Sequence, residues 1–275
     1  MRGRQNLGAW AAAATIVVFA ALAAVAPWVT PHDPITQDLA HRLMPPAWTD
    51  AGGPAHLLGT DALGRDYFSR LLHGGRISIT VGLLVALVSG TIGATLGLLG
   101  GYFGGRIDAV VMFVITTRLS LPVVLVALAV VAVVGASLTM TVLVLGLLFW
   151  DRFAIVIRAA TRQLAGQDFV VAARALGASH VHILFRELLP NLRRHLLAVG
   201  TIEMSHAILV ESALSFLGVG TQPPTPSWGL MVAEGREMAL FLPYLIAVPG
   251  LAIFALVASI NILGNRLEAG TAGRP

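Results

Sequence analysis

No cysteine and no lysine occur among the 275 residues, and only 12% of the chain is charged. Without cysteine there is no disulfide framework, no thiol nucleophile and no thiolate metal site. Without lysine there is no P-loop, whose lysine reaches the nucleotide phosphates, so any ATP-driven work requires another polypeptide to hydrolyse the ATP. Soluble domains carry about 25% charged residues. A chain with half that share, 56% hydrophobic residues and a mean hydropathy of +0.82 has too little polar surface to cover a water-soluble globule. It reads as an all-α, polytopic membrane protein. All 18 basic residues are arginine, against 14 acids, and in a membrane protein that excess is first an orientation signal rather than a nucleic-acid footprint.

What is present is a series of apolar runs long enough to cross roughly 30 Å of hydrocarbon. They lie within 7–29, 78–102, 107–134 (broken near Pro122), 138–157, 191–219 and 239–263, which predicts six spans. Ala24-Val25-Ala26 mimics a signal-peptidase site, but the first run exceeds the usual apolar region of about 7–15 residues, so it is expected to be retained. The second run places Gly82, Ala86, Gly90, Gly93, Gly97 and Gly101 at spacings of three or four. That bare face suits backbone-to-backbone packing, with a glycine-rich pore wall as the sharper alternative. Residues 30–56 are proline-rich and read as an extended external segment without a core of its own. Next, Asp66 is placed to cap a short helix that Gly74-Gly75 ends. Its Tyr67, Phe68, Leu71 and Leu72, opposed by Arg65, Arg70 and Arg76, predict an interfacial helix. The chain so divides into residues 1–76, a span with external segment and interfacial helix, and 77–275, a five-span core. Residues 220–236, with Pro223, Pro224, Pro226 and Trp228, read as a stiff, extended external loop.

Of the loops between runs, 158–190 carries the most arginine. Asp168 can cap a first short helix and Ser179 a second, Gly177 allows a left-handed turn between them, and Pro190 stops the second. The expected product is a helix–turn–helix on the membrane surface with small Ala172 and Ala173 open to a partner. The alternative is an ordinary basic loop that merely orients the chain. Six spans put both termini on one side. With them go Arg2, Arg4, Arg106, Arg158, Arg162, Arg174, Arg186, Arg193, Arg194, Arg266 and Arg274, against Arg42, Arg65, Arg70, Arg76 and Arg236 opposite. The positive-inside rule then predicts cytoplasmic termini and a cytoplasmic 158–190 loop.

Charges inside a bilayer are costly and need a reason. Glu203 and Glu211 are eight apart on the fifth run and share nearly one face, with His206 near it. Arg118 sits in the third run, and Asp151 and Arg152 interrupt the fourth. Either these groups line a polar translocation path, or they pair between helices, for instance Glu211 with an arginine of the third or fourth run while Arg152 snorkels. Asn261 can serve in either way. The histidines are scattered without a ligand spacing, so no metal site is expected.

Several stretches resemble one known family. Val171-Ala172-Ala173, Gly177 and Leu189-Pro190 follow the pattern of the "EAA" loop of binding-protein-dependent ABC importer permeases. LGTDALGRDYFSRLLHGGRIS (58–78), ESALSFLGVGTQPPTPSWG (211–229) and PGLAIF (249–254) with Asn261 are similar to the C-type subunit of the dipeptide, oligopeptide and nickel permeases. The resemblance covers nearly the whole chain and implies the type I ABC importer permease fold. It implies a second homologous permease, one or two cytoplasmic ABC ATPases that carry the ATP and Mg, and an extracytoplasmic substrate-binding protein. It also implies residence among the lipids of a prokaryotic inner membrane. This chain would bind no cofactor, metal or nucleic acid and would not itself be an enzyme. In that family the loop is a coupling helix docked on the ATPase, which implies that role for Asp168, Val171, Ala172, Ala173, Arg174, Gly177, Ala178, Leu189 and Pro190. Pro224, Pro226 and Trp228 are expected to contact the binding protein or gate the outer mouth. The family's glutamate is Val171 here, and with Asp168 as cap a glutamate at 171 would complete a capping box that valine cannot. Di- and oligopeptides are the expected cargo, with nickel or another small solute as alternative. A proton-coupled secondary transporter is a further reading, and a membrane enzyme lacks any catalytic constellation.

Overall fold

The glycine-spaced run forms the helix on which the rest is assembled. The computed structural model describes residues 2–50 and 52–272. After α1 (Arg2–Val29) comes α2 (Tyr67–Phe103), 37 residues long. Asp66 caps α2 as expected, its carboxylate accepting from the Ser69 N–H at 2.8 Å. The helix does not stop at Gly74-Gly75, so the predicted short interfacial helix is corrected to the first turns of a long span. A division at residue 76 would fall inside this helix. It ends where Gly104 turns with φ +63°. The elements that follow are α3 (Gly105–Leu119), α4 (Val123–Val134), α5 (Leu138–Leu148), α6 (Trp150–Ala165) and α7 (Asp168–Ala175). Beyond them lie α8 (His180–His182), α9 (Leu189–Phe216), α10 (Trp228–Gly235) and α11 (Tyr244–Ala272).

The small-residue face of α2 seats α6. A Cβ on Gly93 would lie 2.3 Å from the Trp150 carbonyl oxygen, and one on Gly97 2.8 Å from that of Ala154. The two backbones therefore touch, which is the packing role of such faces. Among the described residues, five helical stretches are long and apolar enough to cross a membrane: Gly8–Val29, Tyr67–Phe103, Leu138–Ala165, His180–Phe216 and Tyr244–Leu267. The bent pair α3 and α4, at 78° across the break at residues 120–122, makes a sixth if taken as one span.

Two further boundaries differ from expectation. The fourth span runs on to Ala165, which shortens the loop after it to 166–179. Pro190 does not stop a helix: the chain is helical from His180 to Phe216. A π-helical stretch, Ile183–Leu188, sits just before the proline. The wider turn accommodates a ring that lacks an N–H and would clash in a regular helix.

Four apolar clusters occur among the described residues; Val111, Ile115, Trp150 and Ala154 join α3 to α6, and the other three order the bundle along its length. Val81, Val85, Leu145, Ala207 and Leu214 fill the middle. Leu98, Ile157, Val170, Ile183 and Leu188 close one end, and Tyr67, Ile208, Trp228, Met231 and Leu245 the other. Large apolar side chains such as Leu87, Phe113, Leu197 and Phe254 point outward, as they do when the surroundings are lipid or another membrane chain.

Candidate functional site

The loop between α6 and α9 is a braced knuckle. Its first helix, α7, begins after Gln167, and no side chain caps it. Asp168 is therefore not the cap but the first helical residue, where its charge still favours the helix N-terminus. The capping-box argument fails with it: Val171 lies one place beyond the position a box would use. Gly177 has φ +82°, and the Ala178 N–H donates to the Ala173 carbonyl at 3.0 Å, a left-handed helix ending. Ser179 caps the next segment through the His182 N–H, as expected.

Two anchors hold α7 to the bundle. Val170 is fully buried among Leu98, Ile157, Ile183 and Leu188, with Ala173, Ala178 and Leu189 half-buried around it. At the last turn of α2, Tyr102 receives the Arg174 guanidinium over its ring at 4.8 Å and meets His180 Nδ1 through its hydroxyl at 2.9 Å. Arg174 thus packs on α2 while staying exposed. Open at the surface are Asp168, Val171, Ala172, Arg174, Ala175, Leu176, Gly177 and Pro190, with Leu176 88% exposed. Tyr102 and His180 carried no signal in the spacing of the loop, because one of them belongs to a different helix.

The intramembrane charges pair between helices. Arg118 of α3 meets Asp151 of α6 at 3.4 Å. Arg152 of α6 meets buried Glu203 of α9 at 3.2 Å, with His206 Nδ1 3.8 Å from the same oxygen. Arg158 pairs with Asp108 of α3, Nη2 to Oδ2 at 2.6 Å. Glu211 departs from the expected arginine pairing. Its Oε1 accepts from Ser215 Oγ at 2.8 Å and Thr221 Oγ1 at 3.0 Å, so it pins the loop after α9 instead. Asn261 is half-buried on α11 and joins none of these pairs.

At the opposite end the expected extended loop is folded into the core. Trp228 is 2% exposed, and its Nε1–H donates to the Leu71 carbonyl at 2.8 Å. A Cβ on Gly75 would come within 2.6 Å of its ring. Gly74-Gly75 is therefore a seat for Trp228, not a helix stop. Pro226 is buried too, and of the three residues expected to meet a binding protein only Pro224 is exposed. Arg65 and Arg70, expected at an interface, are buried. Arg70 Nη2 bonds Glu234 Oε2 at 2.6 Å, Arg65 Nη2 bonds Glu234 Oε1 at 3.0 Å, and both arginines reach Asp61 Oδ2, at 2.6 and 3.3 Å. Two cations and two anions close a balanced quartet that joins α10 to α2. Residues 30–56, expected to lack a core, are tied to the same end: Leu43 packs into its apolar cluster, and His32 and His56 come together at Asp66. None of that gathering showed in the scattered histidine spacing.

With this architecture in view, the comparisons with known proteins are specific. Residues 93–272 match the family model described as "Binding-protein-dependent transport system inner membrane component". Residues 2–46 match the "N-terminal TM domain of oligopeptide transport permease C". The chain is 38% identical to the di/tripeptide transport system permease protein DppC of Pseudomonas aeruginosa, over 92% of this chain and 83% of that one. It is 40% identical to the dipeptide transport system permease protein DppC of Escherichia coli, over 96% and 88%. Among solved structures, a chain of the MetNI methionine ABC transporter superposes with a TM-score of 0.59 at 18% identity, over 73% of this chain and 95% of that one. That match shows a shared fold, the type I ABC importer permease fold. The chain belongs to the binding-protein-dependent transport system inner membrane component family and resembles its C-type peptide permeases across nearly its full length.

Proposed function

We propose that this chain is one of two permease subunits of an ATP-driven importer for di- and oligopeptides, and that the 166–179 knuckle receives the stroke of cytoplasmic ATPases. The observation that supports this most is the knuckle itself. Its inner face is buried and clamped to α2 by Arg174 and Tyr102, while Ala172, Ala175 and Leu176 present small and apolar groups outward. A rigid surface helix of that kind transmits a push to the spans as a rigid body. The arginine distribution supports a cytoplasmic knuckle and cytoplasmic termini; Arg274, counted on that side, lies outside the described residues. The peptide class rests on the names of the relatives. ATP and Mg belong to the ATPases, since this chain has no lysine for a phosphate loop. A second permease and an extracytoplasmic binding protein complete the assembly in a prokaryotic inner membrane.

The test is reconstitution of the co-purified assembly in nanodiscs. ATP hydrolysis should rise when a binding protein loaded with a di- or tripeptide is added, and labelled peptide should enter proteoliposomes only with ATP. Stimulation by nickel-loaded binding protein alone would overturn the peptide assignment. Uptake that survives ATP depletion but collapses with an uncoupler would overturn the ATP-driven one.

A further inference from the structure

The cluster at Asp66 has the make-up of a metal site. His32 comes from the segment after α1, His56 from the loop before α2, and Asp66 from the cap of α2. One donor atom from each lies within 4.8 Å of the others. His32 Nδ1 is buried without a hydrogen-bond partner and stands 3.6 Å from Asp66 Oδ1. Two donors on one tetrahedral zinc-like ion, at bond lengths near 2.0–2.1 Å, are roughly 3.3 Å apart. The His32–Asp66 separation is within a few tenths of that. His56 Nδ1 is closer, 2.8 Å from the same oxygen, and donates to it. It would withdraw by about half an ångström to share an ion under the same geometry.

The surroundings favour a cation. The cluster opens on a cavity of about 410 Å³ lined by three carboxylates, Asp33, Asp38 and Asp66, and three histidines, His32, His41 and His56, with no arginine among the described lining residues. Asp38 keeps its charge: the hydrogen bond from His41 holds its carboxyl below the ordinary aspartate range. The supports of ligand orientation are in place as well. Asp66 Oδ2 is fixed by the Ser69 N–H at 2.8 Å, and the His32 N–H is set toward Ser69 Oγ at 3.4 Å. The two imidazoles lie against one another, centroids 4.6 Å apart at 33°. Two imidazoles and one carboxylate suit zinc, nickel or cobalt rather than calcium or magnesium, which prefer oxygen donors.

We propose that His32, His56 and Asp66 bind one divalent transition-metal ion of the zinc class, with a coordination position left to water or a fourth ligand. The ion clips the segment after α1 to the first turn of α2. Nothing in this depends on the cargo or on the ATPases.

The test uses the full chain purified in detergent without a histidine tag, stripped with chelator, and titrated with Co²⁺ by visible absorption and with Zn²⁺ by calorimetry. One equivalent of Zn²⁺ should bind, and Co²⁺ should give ligand-field bands of a four- or five-coordinate site. His32→Ala should weaken binding by more than about 100-fold. His41→Ala, which lines the cavity outside the trio, should bind as the parent does. If His32→Ala does not elute as a folded species, His56→Gln, which keeps a donor toward Asp66, is read instead. No stoichiometric binding by the parent would overturn the proposal. So would undiminished binding by the folded His32→Ala or His56→Gln variant.

Discussion

At the scale of single residues, charge burial decides most of what is distinctive. The quartet Asp61, Arg65, Arg70 and Glu234 puts two guanidinium groups out of water, with Arg70 wholly enclosed. Removing one member of a buried pair leaves an uncompensated charge and costs about 3–5 kcal/mol. Glu234→Ala is therefore expected to lower the unfolding midpoint sharply, and Glu237→Ala, an exposed acid three residues on, to leave it near the parent value; thermal unfolding in detergent checks both. Glu211 behaves differently. Its partners are hydroxyls, which donate equally well to an amide oxygen, so Glu211→Gln should fold and transport nearly as the parent. Glu211→Leu should free the 217–227 loop to proteolysis. Loss of stability in Glu211→Gln comparable to that in Glu234→Ala would contradict this reading. The sequence marked Glu203, Arg118 and Glu211 as costly charges that either line a polar path or find partners. It did not show which, since Glu211 finds its partners in its own helix and the next loop.

At the scale of elements, α2 and its two ends carry the design. Asp66 as cap and the packing face were legible, because capping geometry and small-residue spacing are local rules. The helix boundary at Gly74-Gly75 was not: a glycine pair reads as a stop unless the ring that occupies its space, 153 residues further on, is known. Gly75→Val should press on Trp228 and cost about 1–3 kcal/mol. Trp228→Phe, by shrinking the ring, should restore part of that loss in the double variant, a coupling that a double-mutant cycle of unfolding midpoints would measure. Strict additivity would contradict the contact. At the other end, Tyr102 joins α7 to α2. A cation–π contact of this kind contributes about 0.5–2 kcal/mol. Tyr102→Leu is expected to leave basal ATP hydrolysis by the assembly intact while peptide uptake falls several-fold, and Tyr102→Phe, which keeps the ring beneath Arg174, should lose less. Equal losses in both would place the effect in the hydroxyl and His180.

At the scale of the molecule, the succession of spans and a surface loop between the fourth and fifth of them were readable from hydropathy, but the loop is 166–179 rather than 158–190 and keeps only Arg174 of the four arginines counted in it. The folding of residues 30–66 and 220–238 into one capped end was not, because its contacts join segments more than 150 residues apart. The consequence is a bundle whose two ends differ in kind. One is closed by buried ion pairs and Trp228; the other carries a braced surface helix with an uncovered apolar face. The central claim is that work enters at that second end. Because the chain has no cysteine, a single Ala172→Cys substitution gives an unambiguous probe. In the co-purified assembly it should crosslink to a groove cysteine on the ATPase in at least one nucleotide state. In intact cells it should resist a membrane-impermeant maleimide that labels Pro224→Cys once the outer membrane is opened. Labelling of Ala172→Cys from outside, or no crosslink in any nucleotide state, would contradict the account.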